Sequence, residues 1–172
     1  MGIERRPYPS TAWDFPDVLS RQFREESILA RLKPSARVAL AVGSRGIKNL
    51  SEIVSSAIST LRKFGMRPFI VPAMGSHGGA TPVGQAHVLA EYGITPESMG
   101  VAFETRMDVR LIGTTGDGVE VFFSEAALEA DGVVVINRIK PHKGRDFGDN
   151  LAVRSGGRTQ RTVSRRVRRT TC

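Results

Sequence analysis

The sequence predicts an α/β domain: a mostly parallel sheet flanked by helices, Rossmann-like in kind, with a β-hairpin and a disordered or irregular basic C-terminal tail. Three observations carry this. The run Arg37-Val-Ala-Leu-Ala-Val42 is short, continuous and bounded by Gly43, the pattern of a strand buried on both faces. A helix-period segment and a second apolar run, Pro68-Phe-Ile-Val71, follow it, so strand, loop and helix repeat. A third run, Gly132-Val-Val-Val-Ile-Asn137, reads as another buried strand leading into a polar loop.

Taken in order, residues 1–36 read as an arm followed by a helix. Val18, Phe23, Ile28 and Leu32 recur near helical spacing behind Asp14 and Pro16, and Pro34 stops the helix. After the first strand, Asn49 or Ser51 caps a helix with Glu52 in its first turn and Ile53, Ala57, Thr60 and Leu61 on one stripe, ended by Gly65. The second strand runs into Gly75-Ser-His-Gly-Gly79, and Thr81-Pro82 opens a helix reaching about Tyr92 and Gly93. Residues 109–112 and 119–123, joined by Gly113-Thr-Thr-Gly-Asp-Gly118, read as a hairpin. Ser124 caps a short helix through Ala130 before the third strand.

Composition bounds the function. The 172 residues are 40% hydrophobic and 24% charged, which suits one globular domain with a core. No apolar run approaches the roughly 20 residues of a bilayer-spanning helix. The N-terminus lacks the apolar stretch of a secretory signal, and the single cysteine, Cys172, permits no intrachain disulfide, so a cytoplasmic, reducing location is expected. Net charge is +8, but residues 1–143 hold 17 Lys and Arg against 15 Asp and Glu, whereas residues 144–172 hold 8 Arg against 2 Asp. The division is therefore an α/β domain over 1–143 and an Arg-rich tail over 144–172. The tail has no lysine, no isoleucine and no apolar periodicity, and cannot build a core. Three origins fit it: a foreign, non-native sequence joined by a frameshift or cloning junction, a natural basic arm, or an element that folds on a partner.

The chemistry-bearing residues sit in the loops after the strands. Carboxyl ends of parallel strands share one edge, and ligands bind in the crevice outside it, so Arg45, His77 and His142 are expected to converge there. Glycines flanking Arg45 and His77 let backbone approach a ligand and turn N–H groups toward an anion, which makes Ser44, Gly46, Gly75, Ser76 and Gly78 candidate cofactor-binding positions. The expected occupant is a small anion. Two opposed imidazoles can remove a proton on one face of a substrate and return one on the other, while an arginine fork holds a carboxylate. That combination suits racemisation or epimerisation of an acid. Each loop also has a purely structural reading, as an ordinary strand-to-helix turn at Arg45 and a proline-fixed turn at His142. His87, within a helix, reads as a surface or packing residue, and Asp117 and Glu120 as turn residues rather than acids.

The ordered motifs Ala-Val-Gly-Ser-Arg-Gly-Ile47, Pro-Ala-Met-Gly-Ser-His-Gly-Gly-Ala-Thr81, Gly-Thr-Thr-Gly-Asp-Gly118 and Asn-Arg-Ile-Lys-Pro-His142 resemble the N-terminal domain of the nickel-dependent lactate racemase family, over residues 35–142. That resemblance implies an isomerase acting on a 2-hydroxy acid in the cleft between two domains. It further implies hydride transfer to a nickel pincer nucleotide, a pyridinium bis-thiocarboxylic acid mononucleotide carrying nickel. His77 and His142 are then the paired acid/base histidines and Arg45 the carboxylate-binding arginine.

The sequence departs from the family pattern beyond the fourth motif. No lysine follows Lys143 to tether the nucleotide, although Ser155-Gly-Gly-Arg158 resembles the tether's surroundings, and guanidinium is too weak a nucleophile to replace an amine there. No histidine follows His142 to ligate nickel, so no metal ligand is assigned in this chain. A second domain is missing, and the isolated chain is expected to be inactive. The Gly-Ser-His-Gly-Gly loop differs from the Thr-His-Arg-Pro type of lactate racemases, leaving another 2-hydroxy acid open as substrate. Two other classes remain: non-specific nucleic-acid binding through the tail, and non-catalytic binding of a small anion.

Overall fold

The computed structural model describes residues 15–25, 32–44 and 46–138 of the chain. The Arg-rich tail lies outside the described residues, as do Arg45 and His142.

A three-stranded parallel sheet organises the domain. Its central strand is β1 (Arg37–Val42), with β2 (Arg67–Pro72) on one side and β5 (Gly132–Ile136) on the other. Val42 is level with both Pro72 and Ile136, so all three strands end at one edge. Past β2, Ile70 bridges to Phe103 in parallel, donating its N–H to the Ala102 carbonyl at 2.9 Å and accepting from the Glu104 N–H at 2.8 Å.

Strand alternation splits the core into two layers. On one face Val38, Leu40 and Val42 pack with Leu50, Val54, Ala57, Ile58 and Leu61 of α2 (Leu50–Lys63), with Phe23 of α1 (Phe15–Glu25) and Leu89 of α3 (Pro82–Glu91). Each fully buried aliphatic side chain there stabilises the fold by about 1.5–3 kcal/mol. On the other face Ala39, Phe69 and Val71 pack with Phe123, Ala126 and Ala127. These come from the hairpin of β3 (Val109–Thr114) and β4 (Glu120–Ser124) and from α5 (Glu125–Leu128). A four-residue helix, α4 (Pro96–Met99), precedes Phe103; it is closed by a capping box between Thr95 and Ser98 that the sequence reading missed.

The expected α/β architecture is observed, with local differences. Leu32 lies in a bend outside α1 and packs on the core from there, so the helical spacing linking it to Phe23 reflects two separate contacts. Asn49 does occupy the N-cap of α2, but in the left-handed conformation (φ 57°) and with no side-chain capping bond. The buried stripe of that helix runs through Val54 rather than Ile53. Its C-terminus follows expectation: Gly65 is left-handed (φ 74°), its N–H reaches Arg62 O, and the Met66 N–H reaches Leu61 O, a Schellman closure. Ser124 precedes α5 without making a capping bond, and its Oγ is buried without a partner among the described residues. The third strand is half-buried instead of buried, because among the described residues β5 forms an edge of the sheet; Val135 is 37% exposed. Asp131 fastens that edge, its Oδ2 accepting the Arg37 N–H at 2.7 Å while its own N–H donates to Arg37 O at 2.9 Å.

Candidate functional site

Because β1 is central, its C-terminal loop is flanked by the loops of both neighbours. The Ala73 N–H donates to Val42 O at 2.8 Å on the β2 side, and the Gly43 N–H donates to Ile136 O at 2.9 Å on the β5 side. The ladder is thus carried one step past the strands, and the loops leave from one place.

On the β2 side the contact is polar. Ser44, only 3% exposed, sets its Oγ 2.5 Å from Nδ1 of the half-buried His77. The hydrogen bond orients the ring and occupies one of its two nitrogens; Nε2 has no partner among the described residues. For Nε2 to take a proton, Nδ1 must carry the ring's hydrogen, and Ser44 Oγ is the acceptor placed to receive it. Once Nε2 is protonated, the same bond persists from the imidazolium.

The loop bearing His77 is braced by α3. Gln85, 3% exposed, donates from Nε2 to the Gly75 carbonyl at 2.8 Å. A short 3-10 turn over His77–Ala80 brings left-handed Gly78 (φ 64°) against the first turn of α3, where a Cβ on Gly84 would stand 1.9 Å from Gly78 O. Thr81 caps that turn, its Oγ1 accepting from the Gly84 N–H and donating to Gly78 O, both at 3.1 Å. Sequence reasoning missed Gln85, since a polar residue in a helix looks solvated; its only signal was its place four residues after the cap at Thr81.

On the β5 side two side chains rest on two glycines. A Cβ on Gly43 would meet Asn137 Oδ1 at 2.6 Å, and one on left-handed Gly46 (φ 74°) would meet Arg138 Nη1 at 2.5 Å. Asn137 Oδ1 also accepts the Arg138 N–H at 2.8 Å. Arg138 was quoted within the fourth motif but not singled out.

The structure therefore brings together Ser44, Gly46, Gly75, Ser76, His77 and Gly78 at the carboxyl edge, with Arg138 added. A Cβ on Gly78 would meet the helix backbone and one on Gly46 the Arg138 guanidinium, whereas one on Gly75 or Gly79 would meet nothing within 4 Å. Among the described residues no group of three or more His, Cys, Asp or Glu could hold a metal ion.

Set against known families, residues 8–149 match the lactate racemase N-terminal domain. The chain belongs to this family. The match includes every strand of the sheet and all the loops just described, and the lactate racemase N-terminal domain is thus the unit that carries the site. No curated protein and no solved structure matches the chain. No described helix of this lactate racemase-family domain is long and apolar enough to cross a membrane.

Proposed function

We propose that the chain is the N-terminal catalytic portion of an isomerase that racemises or epimerises a 2-hydroxy acid. The observation that carries this reading is the hydrogen bond between buried Ser44 and His77 at the carboxyl edge of a parallel sheet, in a chain of the lactate racemase family. A histidine serving only to fill space has no need of a buried hydroxyl on one nitrogen and a second nitrogen without a partner among the described residues.

In this reading Nε2 of His77 takes the proton of the substrate's hydroxyl and later returns a proton to the same oxygen. His142, on the segment after β5, is the matching acid/base group for the opposite enantiomer, and Arg45 holds the carboxylate. The nickel pincer nucleotide would supply the hydride chemistry when bound, and the loop of Gly75 and Gly79, where an added Cβ would meet nothing within 4 Å, is the place proposed for its anionic end. The protein's own contribution is proton transfer, substrate orientation and anion binding. A second domain completes the cleft.

The test uses an intact two-domain relative carrying the Gly-Ser-His-Gly-Gly loop and its cofactor. Replacing the histidine that matches His77 by Gln is expected to lower racemisation by about 10²-fold or more, the scale of a lost general acid/base, with circular dichroism unchanged. Wild-type turnover in that variant contradicts the assignment.

A further inference from the structure

The described arginine side chains are engaged, with one exception. Arg62 and Arg67 donate to the backbone carbonyls of Gly100 and Ser35, and Arg106 and Arg110 pair with Glu129 and Glu125. Arg24 and Arg37 lie over the rings of Phe64 and Phe69. Arg21 also has an interaction partner. Arg138, an exposed residue, has neither carboxylate, carbonyl nor ring against its guanidinium among the described residues. Its backbone N–H is fixed by Asn137 Oδ1, Asn137 rests on Gly43, and its own Nη1 occupies the space that a side chain on Gly46 would fill.

We infer that Arg138, seated on Gly46, is a substrate-carboxylate-binding residue of this site. This rests on the 2-hydroxy-acid reading above. The glycine seat is the decisive feature: Nη1 of the guanidinium lies 2.5 Å from where a Cβ on Gly46 would stand, which lays the fork along the same loop whose Ser44 holds His77. A guanidinium brought there without an acid partner among the described residues has several N–H donors, and a carboxylate is the group that matches the fork in charge and shape. Substrate held from the β5 side by Arg138 is then flanked on the β2 side by the imidazole that moves its proton. Binding energy and proton transfer come from neighbours on opposite sides of one loop.

The experiment is an amide NMR titration of the full 172-residue chain with lactate, read at the Gly46 N–H, and a parallel titration with inorganic phosphate. Saturable lactate binding is expected in the wild type. It should weaken about tenfold or more in Arg138→Gln, as expected for loss of a charge-assisted pair, and less in Arg138→Lys, which keeps charge but not the fork. Gly46→Ala, which displaces the guanidinium, is expected to resemble Arg138→Gln. Lactate affinity unchanged in Arg138→Gln overturns the assignment, as does the absence of a saturable shift in the wild type. Arg138-dependent binding of phosphate alone also overturns it, since the seat would then serve a nucleotide phosphate. These outcomes are independent of the racemisation assay: the His77 reading can fail there while Arg138 binds lactate, and the converse is equally open to measurement.

Discussion

Ser44 Oγ meets His77 Nδ1 at 2.5 Å, and the two residues belong to loops leaving adjacent parallel strands. Ser44 is fixed by the end of the most buried strand in the sheet, and His77 by a turn that α3 grips through Gln85 and Gly84. The imidazole is held from behind, and the nitrogen without a described partner is the one available for chemistry.

Replacing Ser44 by Ala removes the only described partner of Nδ1. The expected cost to folding is about 0.5–1.5 kcal/mol, the net value of one hydrogen bond, measured as a shift in the urea midpoint. Racemisation in the intact relative is expected to fall much further than this stability loss explains, because the ring's tautomer is no longer set. Equal turnover in the two proteins contradicts a positioning role.

Gln85→Leu leaves the Gly75 carbonyl without its side-chain donor. An expected loss of about 1–3 kcal/mol should be accompanied by faster amide hydrogen exchange over residues 75–80, with the protection of β1 unchanged. Protection of that loop equal to wild type contradicts the brace.

Two glycines of the His77 loop region should respond differently to alanine. Gly84→Ala places a methyl 1.9 Å from Gly78 O, backbone that cannot step aside, and is expected to cost about 3 kcal/mol or more. At Gly75 nothing lies within 4 Å, so Gly75→Ala is charged only for its left-handed φ of 63°, about 1–2 kcal/mol. Thermal melts of the two variants give the comparison, and the reverse order contradicts the packing described.

Glu129 supplies a pH-dependent check on the hairpin layer. A hydrogen bond from Arg106 and its charge hold the Glu129 carboxyl below the ordinary carboxylate range. A depressed carboxyl contributes stability that is present above its unfolded pKa and is lost as pH falls through the folded value. Glu129→Gln is therefore expected to flatten the acid side of the stability curve at low ionic strength. Both side chains are exposed, so added salt should shrink the difference. Identical acid slopes in the two proteins contradict this.

Much of the fold was legible because β1 and β2 are short apolar runs cut off by glycine and proline, and because Gly65 and Thr81-Pro82 mark helix ends by local chemistry. His77 stood out for the same reason: a loop of glycine and serine gives a histidine nothing to fill. What stayed hidden depends on neighbours distant in sequence. Gln85 is buried only because Gly75 folds back over α3, and β5 is half-exposed only because it ends the described sheet, which its Val-rich text cannot reveal. The seats of Asn137 and Arg138 join residues more than ninety positions apart, so the glycines at 43 and 46 read as loop positions open to a ligand and not as seats for side chains.

The most direct measurement is the tautomer of the His77 ring. The chain has three histidines, His77, His87 and His142, so long-range nitrogen–proton NMR of the neutral imidazoles, assigned with His77→Gln, reads it cleanly. The expected result is hydrogen on Nδ1, donated to Ser44 Oγ, with the lone pair on Nε2 and that preference lost in Ser44→Ala. Hydrogen on Nε2 in the wild type would mean that Ser44 donates to the ring instead, leaving no base facing the substrate, and would contradict the account.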